Sequence, residues 1–185
     1  MIQSLTRRDT GDIVSKKSVD DHNVLPGTWS FKCKRKPDWK IRKFKARYCV
    51  RGDIQKRLSP KTLKSYYPVF QWDTVRLMLI LQCILGLQSQ SIDFTNAFTQ
   101  ADIPSGEPAF IEPPRDFKSD GGQHDVVLKL KKSLYGQAKD ARLWYEKLLN
   151  GVLERGFVVG KVDPCLSSAR GNLIGKLGNS RHAIV

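Results

Sequence analysis

Two short runs alternate apolar and polar residues with a period of two. Trp29, Phe31 and Cys33 alternate with Ser30, Lys32 and Lys34, and Phe44, Ala46, Tyr48 and Val50 alternate with Lys43, Lys45, Arg47 and Cys49. Such alternation marks half-buried strands. Between the runs, Lys36-Pro37-Asp38-Trp39 reads as a turn. The pattern therefore predicts a β-hairpin with one apolar face and one strongly cationic face. Like charges on neighbouring strands repel, and an anion lying between them relieves that repulsion.

Further along, the period changes to that of a helix. Asp73 or Thr74 caps a predicted helix over 75–87, with Val75, Leu79, Leu81, Ile84 and Leu85 largely buried and Gly86 breaking it near its end. A short strand follows at 90–94, and another at Phe110-Ile111 is closed off by Pro113-Pro114. Residues 118–124 read as a loop, Val126, Val127, Leu128 and Leu130 as a strand, and Gly136 as a turn. From Asp140 to about Arg155, Ala141, Trp144, Leu148 and Val152 recur at helical spacing before Gly156, and Phe157-Val158-Val159 starts a last strand. Residues 53–72 read as a polar connection. The plan is a flexible arm over 1–25, one folded α+β unit over 26–166, and a tail over 167–185 with no sustained period.

Charge sharpens this picture. The 185 residues carry 32 Lys+Arg and 18 Asp+Glu, a formal net charge of +14. Residues 1–72 are net +12, 73–130 net −4 and 131–185 net +6. Fourteen basic residues fall in 32–64 against Asp38 and Asp53, interleaved there with Trp39, Phe44 and Tyr48. A basic block this dense points to a polyanion partner. The four cysteines (33, 49, 83, 165) form no CxxC pair and no set with the three histidines, which argues against structural zinc. Cys33 and Cys49 are placed to face each other across the hairpin. No apolar run reaches the roughly 18 residues of a membrane span, and the first residues lack the apolar core of a secretory signal. An intracellular protein, cytoplasmic or nuclear, is expected.

Asp93 ends an apolar strand, flanked by Ile92 and Phe94, with Thr95 and Asn96 opening a turn. A carboxylate there is poorly solvated unless it meets a cation, and magnesium takes such oxygen ligands together with substrate phosphates. It is equally a good N-cap for the turn at 95–99. Spacing alone leaves both readings open.

The strings VLPGTWSFKCKRKPD, KFKARYCVRGD, VFQWDTVRLMLIL, SIDFTNAFTQADI, LKKSLYGQAKDARLWYEKL and ERGFVVGKVDPCL resemble, in order, the blocks of copia-type retrotransposon reverse transcriptases. They cover 24–166. The resemblance implies fingers and part of a palm of a right-hand polymerase, with the thumb absent. It implies that Lys45 and Arg47 meet the triphosphate of the incoming deoxynucleotide, and that Asp93 is the first catalytic aspartate, a ligand of Mg2+. The carbonyl of Phe94 would join the ligand set. Phe98 matches the aromatic that packs under the sugar, or is a plain core phenylalanine, and Tyr135-Gly136 borders nucleotide and template. The implied partners are an RNA or DNA template-primer and deoxynucleotide triphosphates, with no membrane. The family's hairpin turn usually carries Asp-Gly, where this chain has Asp38-Trp39, and residues 137–141 also depart from the family pattern.

The family's second carboxylate motif, an aromatic-x-Asp-Asp hairpin, does not follow Asp163-Pro164-Cys165-Leu166, and no Asp or Glu occurs after Asp163. Asp20-Asp21 is the only adjacent aspartate pair; it precedes the fingers and reads as a solvated loop. The chain opens with Met as a complete reading frame would, yet looks truncated. The strands that normally bracket Asp93 are expected to be missing. The expected function is a reverse transcriptase fragment, inactive alone. The alternatives are a non-catalytic basic nucleic-acid-binding protein or a decayed element product.

Overall fold

The computed structural model describes residues 10–19, 24–58, 65–115, 117, 125–169, 172–176 and 182–184. Asp20-Asp21 and the loop at 118–124 lie outside them. The elements are β1 (Gly11–Ser15), β2 (Val24–Leu25), β3 (Gly27–Arg35), β4 (Ile41–Val50), α1 (Gly52–Leu58), α2 (Trp72–Leu85), β5 (Ser91–Asp93), β6 (Ala109–Ile111), β7 (Val126–Leu130), α3 (Asp140–Leu153), β8 (Val158–Val159), β9 (Leu166–Ala169), β10 (Asn172–Lys176) and β11 (His182–Ile184), with short 3-10 turns at Lys16–Ser18 and Ala97–Gln100. This is a mixed α+β chain. It forms two compact units, one of residues 1–65 and 98–143, the other of 66–97 and 144–185.

The first unit holds a four-stranded sheet in the order β1-β7-β6-β2 and the hairpin β3-β4. The arm read over 1–25 is corrected here: Ile13 pairs with Leu128 and Val14 with Val127, and Leu25 pairs in parallel with Ile111. Runs this short show no period of their own; the neighbouring strand supplies the backbone partners that hold them. The 53–72 connection is likewise corrected at its start by α1. There the Arg51 guanidinium donates twice to Asp53 (2.9 and 2.7 Å), setting a carboxylate in the first turn. The core gathers Leu25, Tyr48, Val50, Ile111, Leu128, Leu130 and Leu134, with Trp29 packed against it.

Tyr48 fixes the base of the hairpin. Its hydroxyl donates to the Glu112 carbonyl (2.8 Å), and its ring lies over Gly27, where a Cβ would sit 2.1 Å from the ring. Burial first, then Glu112, pushes the phenol up to about 12. Tyr48→Phe removes this one bond and leaves the packing, so an expected loss of about 1 kcal/mol in urea unfolding measures it.

The second unit holds a five-stranded antiparallel sheet, β5-β11-β10-β9-β8. Two expectations are corrected by it. The tail over 167–185 contributes β10, β11 and most of β9, and the strand of Asp93 keeps a neighbour: β11 pairs with it, His182 opposite Asp93 and Ala183 opposite Ile92. Backbone ladders need no side-chain period, which is why a Gly-bearing tail pairs without announcing itself.

In the same unit the N-cap of α2 is Gln71, with no side-chain cap hydrogen bond, rather than Asp73 or Thr74, and Gly86 ends it in the left-handed region at φ +62°. Only Val75 of the five predicted residues is buried, packed with Phe70 and Cys165. Leu79, Ile84 and Leu85 are exposed and Leu81 is half-buried. The helix is apolar nearly all round, so its pattern cannot select one face, and the described residues cover only the Val75 side. Asp163, buried, accepts from the backbone N–H of Gln71 (3.1 Å) and of Cys165 (2.8 Å). The Asp-Pro-Cys-Leu string is thus a packing device: its acid ties two loops and its thiol enters the core. No helix among the described residues is long and apolar enough to cross a membrane.

Candidate nucleic-acid interface

The hairpin forms as the alternation predicts. Trp29, Phe31 and Cys33 stand opposite Tyr48, Ala46 and Phe44 on one face. On the other face Ser30 stands opposite Arg47, Lys32 opposite Lys45 and Lys34 opposite Lys43. Two directly opposed lysine pairs destabilise a hairpin unless an anion is shared between them. Among the described residues no carboxylate pairs with Lys32, Lys34 or Lys43. Cys33 and Cys49 do not face each other: their partners are Phe44 and Thr28, on opposite faces of the ribbon. The turn places Trp39 at φ +64°, the left-handed conformation that the family's glycine would take without strain.

Arg47 is not loose. Its guanidinium lies 5.0 Å from the centre of the Tyr135 ring, a cation–π contact. Phe98 meets the same ring edge-on, with centroids 5.1 Å apart and planes at 80°. Arg47, Tyr135 and Phe98, read separately along the chain, therefore form one cluster in the first unit, with Lys45 two residues along the same strand face. Gly136 holds the arrangement together. The Val50 N–H donates to the Tyr135 carbonyl (2.8 Å), and Gly136 sits at φ +91° with no room for a side chain, since a Cβ would lie 2.2 Å from the Val50 oxygen. The buried side-chain Oε1 of Gln137 accepts from the Leu134 N–H (3.1 Å) and the Ser133 hydroxyl (3.2 Å), and the Ala138 N–H donates to the Gln55 Oε1 (3.1 Å).

Asp140 is the residue that sequence reasoning missed. Its carboxylate accepts from the Gly136 N–H (3.2 Å) and the Ala141 N–H (2.6 Å), bracing the turn against the start of α3. The departure of 137–141 from the family pattern was the available signal. Burial pushes its carboxyl up, and the two N–H groups only partly offset this. The Cys49 thiol is also pushed up, first by burial, with Arg47 opposing and Asp140 adding to it. A carboxyl with a raised folded-state value favours the folded state when protonated. Its contribution is fully present below the unfolded value, near 3.9, and is lost as pH rises through the folded value. Asp140→Asn is expected to remove that loss, so the variant gains stability relative to the parent as pH climbs from about 4 to neutrality. Paired urea titrations across this range measure it; parallel curves would refute it.

Asp93 and Phe94 belong to the second unit. The Asp93 side chain is exposed at the end of β5, and the Phe94 ring packs edge-on against buried Trp144 (5.1 Å, 67°). Among the described residues no three His, Cys, Asp or Glu side chains converge as a metal-ligand set. The described residues therefore show no set that fits the paired magnesium ions of a polymerase. Asp102 and Glu107 are engaged in the first unit, by Lys132 and Lys139.

A family model for reverse transcriptase (RNA-dependent DNA polymerase) matches residues 9–171. The chain belongs to the reverse transcriptase family. It is 33% identical over 138 residues, 75% of its length, to the retrovirus-related Pol polyprotein from transposon TNT 1-94 of Nicotiana tabacum. It is 30% identical over 152 residues, 80% of its length, to the transposon Ty1-ER2 Gag-Pol polyprotein of Saccharomyces cerevisiae. It is thus a copia-type reverse transcriptase fragment. The match spans only 10% and 8% of those two polyproteins. No solved structure matches this reverse transcriptase chain.

Proposed function

We propose that the first unit supplies the fingers of a copia-type reverse transcriptase and that the hairpin holds nucleic acid without polymerising by itself. The opposed lysines of β3 and β4 carry this reading: Lys32 and Lys34 face Lys45 and Lys43, a repulsion a phosphate backbone resolves. Arg47, seated on Tyr135, presents a planar fork for phosphate oxygens, and Lys45 a mobile point charge. Tyr135 and Phe98 form the aromatic floor beside them, suited to the sugar of an incoming deoxynucleotide. The second unit is the partial palm, with Asp93 as the remnant of its metal site.

Binding to RNA or DNA is expected to show little sequence preference and to weaken steeply with salt, because neutralised phosphates release counterions. Neutralising Lys43, Lys45 and Arg47 together should reduce the slope of log affinity against log salt by about 0.7–0.9 per lost contact. Anisotropy titrations between low and physiological salt test this. A flat salt dependence, or no change in the triple variant, refutes it.

A further inference from the structure

We infer that the uncovered face of α2 is the contact through which two copies of this chain pair, helix against helix. The inference stands apart from the nucleic-acid reading, since α2 lies in the second unit and the hairpin in the first. Leu77, Ile80 and Ile84 recur at i, i+3 and i+7, which sets them in one stripe at the a and d spacing of a paired helix. They are 55%, 54% and 72% exposed. Val75, the buried residue of the helix, falls on the opposite side, against Phe70 and Cys165. Leu85 beside the stripe is exposed, and so is Leu87 past the cap. The end of the helix is open as well: a Cβ at Gly86 would meet nothing within 4 Å. Covering this surface on both copies removes roughly 1,200 Å² from water, the size at which specific interfaces begin.

The lack of charge on this face names the occupant. Residues 77–92 contain no charged side chain, and Arg76 just before them is paired with Asp73 (3.4 Å). A distinct partner helix is selected by charges that flank its apolar row. This row has none to read, and a two-fold axis matches it to its own copy, apolar row on apolar row. Elsewhere the chain keeps its copies apart. The first unit carries 25 Lys+Arg against 13 Asp+Glu, the second only 7 against 5. Two chains of net charge +14 therefore approach most readily through their second units, where the charge is small and the apolar surface is open. The rings of Phe31 and Phe44 are as exposed, but they belong to the basic unit, where a second copy is repelled.

Sedimentation equilibrium of the full chain, freed of nucleic acid, tests this. A monomer–dimer equilibrium with a roughly micromolar dissociation constant is expected. It should hold or tighten as salt rises, because screening weakens the repulsion between like-charged copies and leaves the apolar contact in place. Association bridged by leftover nucleic acid would fade with salt instead. Leu77→Glu/Ile84→Glu should weaken the dimer tenfold or more. That change lowers the net positive charge, so the loss cannot come from added repulsion. Both side chains are exposed in the single chain, so the variant should melt as the parent does at concentrations where both are monomeric. Ile80→Leu/Ile84→Leu, which keeps the apolar stripe, should keep the dimer. Phe31→Ser/Phe44→Ser, which removes exposed apolar surface from the hairpin, should keep it too. A monomer at every concentration overturns the inference, as do open-ended oligomers in place of a closed dimer. A glutamate variant that dimerises like the parent overturns it, and so does an equal loss in the hairpin variant, which would move the contact to the first unit.

Discussion

Gly136→Ala is expected to lower the melting temperature by roughly 10 °C. Two costs add. The residue sits at φ +91°, outside the range L side chains adopt readily, and the new Cβ would lie 2.2 Å from the Val50 carbonyl oxygen. Neither obstacle is the movable end of a side chain. Val50 is fixed by its own N–H, which donates to the Tyr135 carbonyl, and by burial in the core. Strain and overpacking each cost about 1–3 kcal/mol, and a domain of this size loses about 2–4 °C per kcal/mol. The turn would also shift the Tyr135 ring from under Arg47, so under the proposed function weaker nucleic-acid binding should accompany the loss of stability. Gly106→Ala is the matched control, because a Cβ there meets nothing within 4 Å. A thermal scan in which the two variants melt together would show that the turn is softer than its contacts imply.

Template-directed incorporation by the 185-residue chain is expected to be undetectable with magnesium or manganese. Two-metal phosphoryl transfer brings four positive charges within about 4 Å, and several carboxylates must share them. Here Asp93 is the one carboxylate that the resemblance to the family blocks puts forward for that role, and the sequence beyond Asp163 contains no Asp or Glu. The strand beside β5 sets His182, not an acid, opposite Asp93. A primer-extension assay decides the matter. Incorporation that disappears in Asp93→Asn would mean that a second carboxylate completes the site. Equal background in both proteins is the expected result.

The hairpin was legible because each strand of it carries its own instruction. Phe31 and Cys33 alternate with lysines, as do Phe44 and Ala46, and pairing the two runs requires only the turn between them. The cluster of Arg47, Tyr135 and Phe98 was legible residue by residue but not as a cluster, since nothing local brings position 135 to the strand holding 47. Strands β1, β2, β10 and β11 were missed because they are recruited by partners. Gly11–Ser15 has two adjacent apolar residues and becomes a strand only against Val126–Leu130. Helix α2 departs in the opposite way: its apolar content predicts burial, although a nearly all-apolar helix says only that cover is needed, not that it is present. Asp140 was hidden by its type. An acid in the first turn of a helix is commonplace, and its hydrogen bond to Gly136 runs backwards out of the helix.

Each compact unit is assembled from two separated stretches, the chain passing from one to the other at 65/66, 97/98 and 143/144. A ribosome therefore delivers them interleaved. When residue 97 has emerged, the hairpin has its local contacts, but β6 and β7, on which β1 and β2 pair, have not been made. Neither half of the core can close early, and the apolar residues of α2 wait in the open throughout synthesis. Domains usually fold as continuous units in order of emergence. This chain cannot use that order, so its yield in a cell depends on how long the nascent chain is kept from other apolar surfaces before residues 144–185, the rest of the second unit, arrive.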